Sequence, residues 1–195
     1  GSFKELIEEE GLPIELGGTG AKTLAAARTN LGIKDAEVNT GVQNFVVLGA
    51  GLHTWAVPTE LKGTGKKFIV IISGGGGGGI THSAANYQYS NGGNGGLCAS
   101  LLTTTESSIQ VNVGAKGLLN GRHGGNSYFG TILFADGGTT APEGHVSRNG
   151  EARGGMLNLT GGGSKGGITW RPRNSPPSYP NNASDGVDGF CVIVW

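Results

Sequence analysis

Charged residues are scarce in this chain of 195 residues, making up only 14% of it. Its 14 basic and 14 acidic side chains cancel, and no basic stripe is present, which argues against a nucleic-acid partner. No apolar stretch approaches the roughly 20 residues that cross a bilayer, so we expect no membrane insertion. The low charge also argues against a disordered, charge-rich chain and favours one compact domain plus a short appendage.

Cysteine and histidine are too few and too scattered to predict a metal centre. The two cysteines, Cys98 and Cys191, lie far apart in apolar settings. We interpret them as buried free thiols, with a disulfide as the alternative. No two of the four histidines have the spacing of metal ligands within one element, so no metal site is predicted.

Catalytic motifs are absent from the sequence as well. There is no Gly-x-Ser-x-Gly elbow, and the longest glycine run matches a dinucleotide-binding pattern only trivially, without an amphipathic helix after it. Asp185 and Asp188 are close in sequence, but Asp-Gly-Val-Asp-Gly is typical of a turn. We therefore predict no catalytic residue, no cofactor and no enzymatic activity.

Glycine, by contrast, is abundant, with 40 residues, and residues 74–79 are six consecutive glycines. They follow the apolar run at residues 68–72 with one serine between, and further glycine clusters recur downstream. The chain contains the strongly apolar segment 190–195, which indicates a strand that closes a core rather than a flexible tail. We expect the glycines to lie inside a folded domain, as extended segments of the polyproline-II type that pack closely because they lack Cβ atoms.

Five segments between the glycines read as strands, in addition to the one at residues 190–195. The predicted strands are residues 45–48, 54–57, 68–72, 108–113 and 128–134. Residues 68–72 are apolar at every position, which predicts burial on both faces. In residues 108–113 strict alternation points Ile109, Val111 and Val113 inward.

The first 41 residues have a different pattern. Thr23 can cap a short helix that Gly32 ends, with an apolar stripe of Leu24, Ala27 and Leu31. This stripe is too small to be stable alone in water, so it needs partners, and identical copies of itself are the simplest ones. The predicted fold class is all-β, with polyglycine II-like segments (residues 42–195), preceded by a short helical element that needs partners (residues 1–41).

An ordered set of motifs resembles a known family. Residues 16–33 contain Gly-Gly-Thr-Gly and Ala-Arg-Thr-Asn-Leu-Gly, which resemble the shaft elements of tailed-bacteriophage tail fibres. The remainder resembles the glycine-rich tip domain of such fibres, at residues 54–58, 68–79, 109–117, 126–130, 135–138 and 189–195. The resemblance implies that residues 42–195 form a glycine-rich β-sandwich and that residues 1–41 form a shaft-like trimerisation element. It further implies a homotrimeric fibre tip on the virion that binds a receptor on the bacterial surface, an outer-membrane protein or lipopolysaccharide. The sequence is also similar to the separate adhesins of some long tail fibres, which cap a fibre made by another chain.

Aromatic and basic side chains in the glycine-rich connections are the candidate receptor contacts, because flat aromatics and arginine give contact area at low entropic cost. The candidates are Tyr87, Tyr89, Arg122, His123, Arg148, Arg153, Arg171, Arg173 and Tyr179. The alternative is that the tyrosines cover a glycine layer and the arginines form a solvated surface. For Trp170 we expect burial, since an indole is usually mostly buried.

Two other functions remain open from the sequence. A polyglycine structural or ice-binding protein would carry threonine or alanine in a regular array, and the threonines here have no fixed period. A fibre-borne polysaccharide depolymerase would degrade its polymer, which a direct assay can detect.

Overall fold

The computed structural model describes residues 18, 20, 21, 23–32, 44–80, 91–140, 147–170 and 182–195. The chain divides into two compact units, Gly1–Val42 and Gln43–Trp195.

In the first unit, helix α1 covers Leu24–Asn30. The Thr23 hydroxyl accepts a hydrogen bond from the Ala26 N–H at 3.2 Å, and Gly32 follows the helix with φ +70°. Both predicted ends of the helix are therefore confirmed. Leu31, predicted to be part of an apolar stripe, is 59% exposed.

The second unit consists of short strands in antiparallel sheets. The strands are β1 (Phe45–Leu48), β2 (Gly51–Ala56), β3 (Phe68–Ser73), β4 (Leu97–Leu102), β5 (Ser108–Val113), β6 (Ser127–Phe129), β7 (Leu133–Ala135), β8 (Ala152–Arg153), β9 (Leu157–Leu159), β10 (Thr169–Trp170), β11 (Asn182–Ala183) and β12 (Phe190–Val194). The all-β prediction is confirmed, since α1 is the one helix of the described residues.

Two five-stranded sheets build the body of the unit. The first sheet has the order β1-β12-β3-β4-β9, and the second has the order β2-β5-β6-β7-β8. Strands β10 and β11 form a separate pair. The segment near the end of the sequence, β12, lies between β1 and β3, which confirms it as a strand of the core.

A shared apolar core lies between the two sheets. Phe68, Val70 and Ile72 of β3 point into it, as do Ile109, Val111 and Val113 of β5, as predicted. Trp55 packs on Phe68 and Phe129 with ring centroids 5.4 and 5.9 Å apart, within the range favourable for aromatic pairs. Cys98 and Cys191 are buried free thiols, as expected.

Three strand predictions need correction. Residues 68–72 are buried on one face only, because Ile69 and Ile71 alternate outward between the core residues. Residues 128–134 are not one strand: Gly130, with φ +55°, turns the chain between β6 and β7. Strand β4 was not predicted, because its small residues, Ala99 and Ser100, weaken the apolar pattern.

The glycine run, residues 74–79, continues directly from β3 and is fully buried. Its N–H groups donate to three neighbouring segments in turn, at 2.9–3.0 Å. Gly74 and Gly77 donate to Gly96 O and Gly93 O, respectively, in one segment. Gly75 and Gly78 donate to Gly125 O and Arg122 O in a second segment, and Gly76 and Gly79 donate to Val187 O and Ser184 O in a third. Successive glycines donate to different segments, and every third glycine donates to the same segment, so the hydrogen bonding of the run repeats every three residues.

The carbonyl groups of the run engage three further segments. Gly75, Gly76 and Gly77 accept from the N–H groups of Gly138, Gly117 and Gly167, at 2.7–2.8 Å. The run is thus bonded to six segments of the chain. A Cβ atom at any of its six positions would meet backbone atoms of these neighbours, so the packing requires glycine at each.

Candidate binding surface at the far end of the glycine run

The glycine run has one end at the sheets, where Gly74 follows β3, and a far end at Gly79. At the far end, Asn120 N–H donates to Gly79 O at 2.8 Å, and the Thr140 hydroxyl donates to Gly78 O at 2.9 Å. Thr169 bonds to Ile80 O through its hydroxyl, at 3.2 Å. Residues from three parts of the sequence, Asn120, Thr140 and Thr169, therefore converge here, each held by backbone of the run or of Ile80.

Three connections begin and end beside this far end. Their described flanks are residues 80 and 91, 140 and 147, and 170 and 182. The flanks are tied together: Thr169 N–H donates to Asn91 Oδ1 at 2.7 Å, and Trp170 pairs with Asn182. The candidates Tyr87, Tyr89, Arg171, Arg173 and Tyr179 belong to these connections and lie outside the described residues.

Arg122 and His123 lie in a fourth connection at the same end. Its turn is set by Asn120 and Gly121, whose φ values of +66° and +103° are in the left-handed region. The Arg122 carbonyl accepts a hydrogen bond from Gly78 N–H at 3.0 Å and shares the single proton of the Thr140 hydroxyl, 2.8 Å away, with Gly78 O. A backbone held at two points presents an exposed arginine side chain from a rigid base.

His123 is oriented by the same neighbour. Its Nδ1 accepts the N–H of Thr140 at 2.8 Å. A backbone N–H can only donate, so Nδ1 carries no proton in this geometry and the neutral ring holds its proton on Nε2. The exposed imidazole thus has a hydrogen-bond donor available for a ligand.

Four apolar side chains belong to the same end. Leu118, Leu119, Ile168 and Trp170 are all exposed at this end. The sequence analysis did not name the two leucines or Ile168. The leucine pair directly before the turn signal Asn-Gly could have indicated apolar side chains exposed at a turn. The expectation that Trp170 is buried is wrong: it is 42% exposed, because in the two-residue strand β10 Thr169 points inward and Trp170 outward.

Two carboxylates brace the leucine segment. Asp185 accepts from Leu119 N–H at 2.8 Å and pairs with Lys116 Nζ at 3.0 Å. The backbone hydrogen bond from Leu119, and then the lysine, hold the pKa of Asp185 below its ordinary value. Asp188 accepts from Lys116 N–H at 2.7 Å. These aspartates were interpreted as turn residues, but they instead bind N–H groups of the neighbouring segment.

Arg153 does not join Arg122 and His123, whereas Arg148 directly follows the flank at residue 147. Arg148 is exposed, and its backbone pairs with Thr139. Arg153 lies on β8 of the second sheet, where its guanidinium bonds to Asp136 Oδ2 at 3.0 Å and covers the Phe134 ring at 4.8 Å. These contacts hold Arg153 on the outside of the sheet, so it is not part of the far-end surface.

The described residues hold no group of three or more His, Cys, Asp or Glu side chains placed to bind a metal ion. Within the same part of the chain, no helix has the length and apolar character needed to cross a membrane. A scan against protein-family models and a search of curated proteins both find no match to this chain.

Proposed function

We propose that this chain is the receptor-binding tip of a tailed-bacteriophage tail fibre. In this proposal it is a non-enzymatic adhesin on the virion that acts as a homotrimer. Its far end contacts the bacterial surface, through an outer-membrane protein or lipopolysaccharide. The ordered resemblance of its motifs to glycine-rich fibre tips is the basis for naming the fibre.

The observation that carries the proposal is the convergence of four connections on the far end of a fully hydrogen-bonded glycine run. Binding residues are commonly found in loops that a rigid scaffold positions. Here the exposed side chains include an arginine, a histidine, a tryptophan and several leucine or isoleucine residues. Aromatic residues and arginine account for much of the binding energy in protein contacts, and this surface offers both.

We further propose that the glycine segments form polyglycine II-like helices. A three-residue hydrogen-bond repeat matches a helix of about three residues per turn. Such a helix directs its N–H and C=O groups toward neighbours all round its axis, which accounts for bonds to six segments. The helical element at Leu24–Asn30 would then belong to the shaft side of the same fibre.

Adsorption of the full chain to host cells tests the proposal. Alanine at Arg122, Trp170, Tyr87 or Arg171 is expected to weaken adsorption while leaving the melting temperature nearly unchanged. Each anchor of this kind is worth about 2 kcal/mol on truncation, which corresponds to roughly 30-fold in Kd.

Lys67→Ala is the matched control. Lys67 is an exposed cation immediately before β3, so the strand and the glycine run separate it from the far end. With about 3.3 Å per strand residue and 3.1 Å per glycine, that separation is roughly 40 Å. Equal adsorption by all the far-end variants and the parent would exclude this surface as the receptor-binding site.

A second experiment identifies the receptor class. It compares binding to outer-membrane protein fractions with binding to purified lipopolysaccharide. Degradation of purified polysaccharide by the protein would favour a depolymerase instead.

A further inference from the structure

The outer side of the first sheet is apolar across all five strands. We define the apolar face as those side chains of β1-β12-β3-β4-β9 that point away from the core. Strand pairing aligns them in rows, such as Phe45–Val194–Ile69–Leu101. Of the outward positions only Ser73 is polar, and it is buried, with its hydroxyl bonded to Ser164.

Much of this face is open to solvent in the single chain. The exposed members range from Ile69 at 40% to Phe45 at 69%. The six most clearly exposed are Phe45, Val47, Ile69, Leu101, Leu157 and Leu159.

The second sheet shows that an apolar exterior is not a requirement of this fold. Its outer side carries Thr54, Gln110, Asn112 and Arg153 next to the exposed Leu52 and the Phe134 ring, and Gln110 donates to the Thr54 hydroxyl at 2.9 Å. An antiparallel sheet with one face in water ordinarily alternates in this way, apolar inward and polar outward. The first sheet has apolar side chains on both faces, as is expected of a sheet that is covered on both sides.

The size of the patch suits a protein contact. With about 200 Å² for a fully exposed large apolar side chain, the six residues alone expose about 600 Å². A typical monomer's largest apolar patch is about 300–600 Å², and a stable interface buries about 800 Å² per partner. The half-exposed side chains beside the six, such as Ile71 and Val192, bring the face close to that second value.

We infer that the apolar face is the contact between copies of this chain. The outward side chains offer no charge and no exposed hydrogen-bonding group, so the partner must present a matching apolar surface. Every further copy carries such a surface, of equal size and at equal concentration. In a homotrimer the same face of each chain turns toward the threefold axis, where its rows of Val, Ile and Leu side chains meet those of the other two copies.

This contact is independent of any host receptor. It adds to the helix stripe of the first unit a second and larger joining surface, located in the tip itself. A helix of seven residues is too short to hold an assembly alone, so loss of the apolar contact is expected to leave single chains.

Light scattering coupled to size exclusion, with the full chain at micromolar concentration, tests the inference. The parent is expected to run as a multimer, and Ile69→Lys is expected to fall to the mass of one chain, because a charge in the middle of the contact would be buried without a partner. Gln110→Lys is the matched control: it places the same charge outward on β5 of the second sheet and is expected to keep the parent mass.

A photo-crosslinking residue gives a direct readout. At position 101 on the apolar face it is expected to join two chains, and at position 112 on the second sheet it is not. A parent with single-chain mass, or an Ile69→Lys protein with the parent mass, would overturn the inference. If Ile69→Lys keeps the parent mass, the proposed homotrimer would still stand, held together by the first unit instead of by the apolar face. Crosslinks from position 101 to residues 1–43 of the same chain would show that the chain covers its own face, and would also overturn it.

Thermal melting shows whether each variant is folded. If Ile69→Lys does not fold, Leu157→Lys replaces it, because β9 is a three-residue strand at the edge of the sheet and tolerates a lysine more easily.

Discussion

Alanine at Gly76 is expected to destabilise the protein strongly. Gly76 N–H donates to Val187 O at 2.9 Å, and Gly76 O accepts from Gly117 N–H at 2.7 Å. A Cβ atom at this position would overlap the carbonyl of Lys165. Gly76 is not among the glycines with positive φ, so alanine can adopt its backbone conformation. The cost therefore comes from the neighbouring segment and not from backbone strain.

Two terms set the size of the effect. Inserting a methyl group into a close-packed interior costs about 1–3 kcal/mol. Moving the Lys165 segment away to make room breaks the backbone hydrogen bond from Val187 N–H to Lys165 O, at 2.9 Å, and a lost hydrogen bond costs about 1 kcal/mol. We expect a loss of about 3 kcal/mol, which for a chain of this size lowers the melting temperature by roughly 6–12 °C.

Gly49→Ala is the matched control for this substitution. A Cβ at Gly49 has no atom within 4 Å, and its φ is not positive. Alanine there is expected to change stability by less than about 1 kcal/mol, and to raise it if anything, because it restricts the unfolded chain. Both variants are melted at the same protein concentration, followed by circular dichroism. Equal melting temperatures for Gly76→Ala and Gly49→Ala would refute the close packing of the run.

Three further outcomes are expected. The pKa of Asp185 is lowered in the folded state, so its contribution to stability is present above the ordinary carboxyl pKa of about 4 and is lost as the pH falls below it. Asp185→Asn should therefore melt below the parent at neutral pH, with the difference narrowing in acid, and a pH-independent difference would contradict this. Burial raises the pKa of Cys191 to about 12, so neither this thiol nor buried Cys98 should react with a disulfide reagent until the protein is unfolded. Trp195→Ala should lower the melting temperature more than Trp195→Phe, because the ring packs 5.9 Å from Trp55, and equal losses would point instead to the indole hydrogen bond with Glu60.

Local patterns were sufficient for several elements. The alternation at Ile109, Val111 and Val113 predicted which side of β5 faces the core, since side chains of a strand alternate. Thr23 and Gly32 predicted both ends of α1, because capping depends on residues within one turn. The far-end surface was only partly predictable: Arg122 and His123 were named, while Leu118, Leu119 and Ile168 were not.

Where local pattern failed, the deciding contact was distant in sequence. Whether Ile69 is buried depends on what covers the outer side of its sheet, and no periodicity within residues 68–72 reports that. The sequence predicts Arg153 to be a loop arginine that contacts a receptor. In the structure, the pairing of β7 with β8 places Arg153 beside Asp136 instead.

By itself, the sequence determined that the protein is built from strands and close-packed glycine segments, because apolar alternation and missing Cβ atoms act within a few residues. Only the tertiary structure decided which segments surround residues 74–79, and that four connections meet at their far end. It also decided that one sheet has an apolar exterior, while the exterior of the other sheet mixes polar side chains with Leu52 and Phe134. The physical reason is that backbone hydrogen bonds between glycine segments carry no side-chain signature, so their partners are selected by the packing of the whole chain.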